Sequence, residues 1–185
     1  MIYTTNEMAN RVLNFWFDAD NKPFWFAKSD EFDHKIAEQF EDLIDQARAG
    51  ELWGWRTDHY GRLAEIIILD QFSRNVYRDT PKAFAADDVA LILAQEAVAL
   101  AGFNELPVDF RIFAAMPFMH SESLSIHERA VEIFEQIGDA VTLDFEHRHK
   151  DIIERFGRYP HRNEILGRVS TTEELEFLKE PNSSF

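Results

Sequence analysis

The chain has no cysteine. That absence excludes disulfides, thiolate zinc sites and a cysteine nucleophile together. Combined with the lack of an export signal, it reads as a cytoplasmic protein. Long apolar runs are also missing. The run over residues 66–69 spans about one helical turn, far from the roughly 20 residues of a membrane span. The opening stretch MIYTTNEMANRVLNFWF has no basic region ahead of an apolar one, so it does not read as a signal peptide. Positive charge is scarce, with a formal net charge of −15. A field of that sign repels phosphate backbones and anionic bilayers, which argues against nucleic acid or membrane as a partner. Lysine is the rarer cation, at six against thirteen arginines. Solubility needs no such bias, whereas a planar guanidinium suits organised pairing with carboxylate or phosphate.

What the sequence does contain is aromatic bulk and helical punctuation. Seventeen Phe and four Trp stand in 185 residues. That length suits one domain over residues 1–185, burying roughly 70% of its unfolded surface. Period-two alternation is nearly absent. Thr5 or Asn6 can cap a helix bearing Met8, Val12, Leu13, Phe15 and Trp16. Ser29 or Asp30 can cap one bearing Phe32, Ile36, Phe40, Leu43, Ile44 and Ala47, closed by Gly50. Thr57 can start a third, through Leu63, Ile66, Ile67 and Phe72. Thr80 and Pro81 open a turn, and a helix over 87–101 ends at Gly102. A helix from Val108 is expected to break near Pro117. Segments 121–137 and 142–156 stop at Gly138 and Gly157. Residues 161–166 suggest a short helical turn, and Ser170 with Glu173 has capping-box spacing. Helices joined by short turns imply an all-α fold of antiparallel hairpins. The geometry fits a tetratricopeptide-like right-handed array, without that repeat's own sequence pattern.

Three stretches carry candidate chemistry. In LDQFSRNVYRD, a continuing helix places Asp70, Arg74 and Arg78 on one stripe, with Gln71 and Asn75 beside it. In PFMHSES, His120 and Glu122 flank Ser121, the expected N-cap, at a helix start that can bind an anion or relay a proton. In DIIERFGRYPHRNEILGR, four arginines and a histidine crowd eighteen residues: Arg155, Arg158, His161, Arg162 and Arg168. There Phe145, His149, Ile152, Ile153 and Phe156 share a helical face, so Phe145, Ile152 and Phe156 are expected core residues around His149. Asn163 and the backbone of the turn after Pro160 complete a candidate carboxylate or phosphate pocket. The opposing reading is that these arginines pair internally with Asp and Glu. Phosphate-loop, dinucleotide, nucleophile-elbow and HExxH patterns are all absent, so no cofactor or metal is assigned. His120, Glu122, His149 and His161 could ligate a metal only if the fold gathers them.

The stretches LDQFSRNVYRDTPKAFAAD, PFMHSE and HKDIIERFGRYPHRNEILGRVSTTEELEFL resemble the bacterial proteins called domain of unknown function 924. The resemblance spans essentially the whole chain. Its most specific motif, H-x-D-I-I-x-R-F-G-R-x-P-H-R-N, is matched in full from His149. One departure lies in the first of these stretches, at Asp79, where the family often has glycine. The resemblance implies an all-helical, tetratricopeptide-like fold and no established activity.

Together these readings point to a protein that binds, and can transform, a small anionic molecule. Arg74, Arg78, Arg158, Arg162 and Arg168 would be the clamps, with Gln71, Asn75, Ser121, His161 and Asn163 lining the pocket. His120 or His149, helped by Glu122 or Asp70, would move the proton. The alternatives are a helical scaffold for an acidic peptide or partner protein, and an internal polar network.

Overall fold

The computed structural model describes residues 1–184, and no strand occurs among them. Helix α1 (Glu7–Trp16) begins at Asn6, whose side chain accepts from the Ala9 N–H. Helix α2 (Asp30–Arg48) begins at Ser29 and places Asp30, Glu31 and Asp33 in its first turn, where the helix dipole favours anions. Its buried residues are the six that the spacing predicts. Helix α3 (His59–Ile67) is capped by Asp58 rather than Thr57: the Asp58 carboxylate accepts from Gly61 N–H. A side chain at Gly61 would collide with the Trp55 carbonyl, with Cβ only 2.0 Å from that oxygen.

The helix then widens into a π turn over Ile68–Phe72 before closing as α4 (Ser73–Val76). Every residue from 63 to 73 is buried, so this segment is the axis of the fold. Rings from three other helices surround it. Phe40 and Trp16 sit 5.0 and 5.7 Å from Phe72, and Phe113 packs edge-on to Trp16 at 5.3 Å.

After α4 come a turn at Pro81–Phe84 and helices α5 (Asp87–Ala99), α6 (Val108–Met119), α7 (Leu124–Ile137), α8 (Ala140–Phe156) and α9 (Thr172–Phe177). Helices α5 to α8 pack on one another in chain order, as short connections require.

Several expectations are corrected. Helix α6 runs through Pro117 without a break. Pro117 forfeits one N–H, but residues 112–119 are all buried and the packing keeps the helix continuous. Helix α7 starts behind Ser123, not Ser121, and α8 behind Asp139, which caps Thr142. The capping box is Thr171 with Glu174, one residue later than its spacing suggested.

Helix α8 is also turned relative to the expected face. It buries Glu146, His149, Ile152 and Ile153, while Phe145 is 41% exposed and Phe156 half-buried. Ile152, Ile153, Tyr159 and Phe177, with Phe156 against them, form a small second cluster apart from the main core.

Candidate functional site

A cavity of about 230 Å³ opens between the start of α5, the end of α6 and the turn Pro160–Arg162. Its polar wall is Asp87, Asp88, His120, Ser121, Glu122 and Arg162. Its apolar wall includes Phe84, Leu91, Pro117 and Leu166.

Asp70 lies behind that wall on the π turn, fully buried. The wider turn holds its carboxylate among donors: Gln71 Nε2 at 2.6 Å, Arg74 Nη1 at 3.1 Å and His120 Nδ1 at 2.7 Å. π turns recur at functional sites because they re-aim side chains within a helix. Burial pulls the Asp70 carboxyl up, but His120, Arg74 and the hydrogen bonds outweigh it and hold it at about 2. An ionised carboxylate only accepts, so His120 carries its proton on Nδ1. Burial, and then Arg74, push the His120 imidazolium down, which keeps the ring neutral. Nε2 of His120 makes no protein hydrogen bond among the described residues, and the residue lines the cavity.

Arg74 reaches Asp87 with both terminal nitrogens, at 2.9 and 2.8 Å. Arg162 meets the same Asp87 at 3.3 Å and donates to the His120 carbonyl at 3.1 Å. Its guanidinium carbon lies between two rings, 4.7 Å from the Phe84 centroid and 4.5 Å from that of Tyr159. Its Nε is buried with no partner.

Three consecutive carbonyls at the end of α6 are satisfied from elsewhere in the chain. Tyr159 Oη donates to Met119 O at 2.6 Å, Arg162 to His120 O, and His127 Nε2 to Ser121 O at 2.8 Å. A helix end leaves such carbonyls orphaned, so these donors act as its cap. Glu122 accepts from Tyr159 N–H at 2.7 Å and from both Nη atoms of Arg168 at 2.6 and 2.9 Å. Its burial raises the carboxyl, but Arg168 and the Tyr159 amide lower it further, leaving it ionised. The two sequence motifs are thus partners in one junction.

The structure brings together Asp70, Gln71, Arg74, His120, Ser121, Glu122, Arg162 and Arg168. Ser121 lies on the wall as an acceptor for Ser123 N–H, not as an N-cap. Other expected members lie elsewhere. Helix α4 ends at Val76, so Arg78 leaves the Asp70 stripe and binds Asp33 of α2 at 2.7 Å. Asn75 binds the same carboxylate at 2.7 Å. Arg158 pairs with Glu174 at 2.6 and 2.8 Å, away from the cavity.

His149 is buried in the C-terminal cluster, donating from Nδ1 to Phe145 O at 2.7 Å, and burial lowers it to about 3. His161 packs on Tyr159 at 5.5 Å rather than lining the wall, and burial lowers it to about 4. Asn163 is buried and donates to Ser170 Oγ at 3.0 Å. Among the described residues no three His, Asp or Glu side chains converge in metal-ligating geometry, so His120, Glu122, His149 and His161 form no ligand set.

Sequence reasoning missed Phe84, Asp87, His127, Glu146 and Tyr159. Asp87 had a signal, being the first residue of a helix beside a Pro-opened turn. Glu146 had one too, standing three residues before His149 and seven before Ile153 on the same face.

The model of a family described as bacterial protein of unknown function (DUF924) matches residues 12–182. Among solved structures, the chain is similar to a protein of unknown function from Agrobacterium tumefaciens. The two are 36% identical with a TM-score of 0.88, over 94% of this chain and 98% of that one. No curated protein matches the chain.

Proposed function

The chain belongs to this family of bacterial proteins of unknown function, which supplies a fold and no chemistry. From the site itself we propose that the protein binds a small molecule with one anionic group and an apolar body, and transfers a proton to or from it through His120. One observation carries this reading. A neutral imidazole is held by a buried carboxylate on Nδ1, leaves Nε2 at a cavity wall, and stands beside a guanidinium with an unused N–H. Such an imidazole is a general base near neutral pH, and a general acid once it holds the proton.

Charge on the wall selects the ligand. Among the described residues Arg162 is the cation lining the cavity, against Asp87, Asp88 and Glu122. Arg74 and Arg168 are already bound by carboxylates on both arms. Arg162 can pair with one carboxylate, and each further negative charge would meet only the repulsion of those acids, so a monocarboxylate fits better than a dicarboxylate or a phosphate. Phe84, Leu91, Pro117 and Leu166 supply an apolar surface for the rest of the molecule.

Thermal-shift and calorimetric titration with monocarboxylates of increasing apolar size, a dicarboxylate and inorganic phosphate tests this. Monocarboxylates should stabilise the protein by about 2.7 kcal/mol at a hundredfold excess over Kd. Arg162→Ala should abolish the response, and His120→Gln should keep binding. Absence of binding by every probe would instead support the internal-network reading, which the saturated pairs of Arg158 and Arg168 favour.

A further inference from the structure

Helices α7 and α8 bury a second imidazole–carboxyl pair that the proposed chemistry does not use. His127 and Glu146 are both 0% exposed, with Nδ1 of His127 2.7 Å from Oε1 of Glu146. Their hydrogens can be assigned from the partners. Nε2 of His127 faces the Ser121 carbonyl at 2.8 Å, and a carbonyl only accepts. The same Nε2 lies 3.1 Å from Tyr159 Oη, whose own hydrogen is committed to Met119 O. Both contacts require Nε2–H. One further proton then lies between Nδ1 and Oε1, and a pair shut away from water holds it on the carboxyl, leaving Glu146 a carboxylic acid that donates to Nδ1. The far oxygen of Glu146 agrees, being buried without a partner. A neutral carbonyl oxygen tolerates that position far better than half of a carboxylate would. Burial raises the Glu146 carboxyl in the same direction.

Two well-packed leucines would fill this space at no loss of stability, because a buried polar pair contributes little beyond its desolvation cost. The pair does something leucines cannot. It fixes which nitrogen of His127 carries the proton, and that proton caps Ser121. Without the Glu146 donor, a neutral His127 is free to hold its proton on Nδ1. A bare Nε2 and the Ser121 oxygen would then face each other at 2.8 Å, acceptor against acceptor.

We propose that Glu146, His127 and Tyr159 are positioning residues that lock the end of α6, and through it aim the His120 ring at Asp70 and the cavity. The link is short, since His120 is flanked by the two carbonyls they hold. The groups facing His120 directly are Asp70, Arg74, Asp87 and Arg162. The importance of His120 rests on the proposed function, but its placement by these three residues does not.

Histidine-ring nitrogen shifts, read by long-range proton–nitrogen NMR on the full chain, test the placement without any ligand. In the wild type, His120 should report a proton on Nδ1 and a bare Nε2 at neutral pH. Glu146→Gln should leave that signature unchanged, because an amide N–H can donate to His127 Nδ1 as the carboxylic acid does. Glu146→Leu should move His120 toward a mixture of tautomers and shift its titration midpoint by at least about 0.5 pH unit. Tyr159→Phe, which removes the donor to Met119 O and the oxygen that His127 Nε2–H also faces, should shift it in the same sense and decides the matter if Glu146→Leu does not fold. Ile152→Val, a packing loss in the neighbouring cluster, should leave His120 unmoved.

The proposal is overturned if Tyr159→Phe and any folded Glu146→Leu protein keep the wild-type His120 signature. It is equally overturned if Glu146→Gln displaces His120 as far as Glu146→Leu does. A His120 response without binding of any carboxylate would sink the proposed function and leave this placement standing.

Discussion

Residues 63–73 and residues 151–178 are held in place by different means. Around the first segment stand Phe15, Trp16, Phe32, Phe40 and Phe113, all in ring contact with Phe72 or with each other. The second segment buries four large apolar groups, Ile152, Ile153, Tyr159 and Phe177. It is tied down instead by guanidinium groups: Arg158 to Glu174, Arg162 to Asp87 and Arg168 to Glu122. The cause is geometric. Helix α9 has six residues and the turn Pro160–Arg162 has three, too few for a broad apolar face. A two-armed cation on a long stem can hold such pieces where packing cannot. Arginine thus fastens this short, weakly apolar region, and of these three cations Arg162 lines the cavity.

The sharpest way to separate the two modes is to damage each once. Phe72→Ala should cost about 3–5 kcal/mol through the cavity it leaves. Arg74→Met should cost less, about 1–3 kcal/mol, because buried Asp70 and half-buried Asp87 lose their shared guanidinium but keep His120, Gln71 and Arg162 as partners. The two variants differ in their pH response. The Phe72→Ala loss should be nearly constant between pH 7 and pH 4. The Arg74→Met loss should shrink on acidification, as protonation relieves the two carboxylates. Urea unfolding at both pH values reads this directly, and equal pH dependence would refute the contrast.

A smaller effect should come from two histidines, one within the fastened region and one just ahead of it. His149 and His161 are kept neutral by burial, at about 3 and about 4, below the ordinary value of about 6.5. Their folded pKa values are depressed, so the stability they confer is present above about pH 6.5. It is lost as pH falls from there toward those values, because the unfolded chain takes up the protons first. Each contributes a slope of up to about 1.4 kcal/mol per pH unit. Asp70, held at about 2, adds its own loss only below about pH 4. Amide exchange at pH 5 should therefore accelerate in residues 151–178 before it does in α3. His161→Asn should flatten the dependence between pH 6.5 and 4, and unchanged dependence would remove His161 from the account.

The same division decides what could be read from the sequence. Helices α1 and α2 were legible because their signals are local: Asn6 and Ser29 cap within three residues, and the apolar spacing repeats along one face. The pairing of Asp70 with His120 was not, since fifty residues separate them and neither sits in a spacing pattern that names the other. Extending an ideal helix past Phe72 misplaced Arg78, because a π turn and an early helix end leave no sequence signal of their own. Phe145 misled for a physical reason. Apolar character put it inside, yet His127 draws Glu146 into that place, and a polar partner contributed by another helix overrides the hydrophobic pattern. His120, Glu122 and Arg162 meet at one cavity wall, each just past a helix end, and that position is visible in the sequence. The exclusion of Arg158 and Asn75 depended on carboxylates on α9 and α2.

The smallest expected effect concerns Arg155, which crosses from α8 to α9. It meets Glu173 at 3.0 Å, with both side chains largely in solvent. Its guanidinium carbon also lies 4.7 Å from the Phe156 ring and 5.5 Å from that of Phe177. An exposed ion pair contributes about 0–1 kcal/mol and is screened by salt. Contact between a guanidinium and a ring contributes about 0.5–1 kcal/mol at an exposed site, and the stem covers apolar surface besides. If the fastening here is mainly stacking, Glu173→Gln should change stability by less than about 0.3 kcal/mol. Arg155→Ala should cost about 0.5–1 kcal/mol, equally in 0.1 M and 1 M sodium chloride. Arg155→Lys should recover only part of that loss, since an ammonium has no flat face to lay on the rings. Denaturation curves for the three variants at both salt concentrations are sufficient. A loss that vanishes in 1 M salt would mean that Glu173, not the rings, holds Arg155.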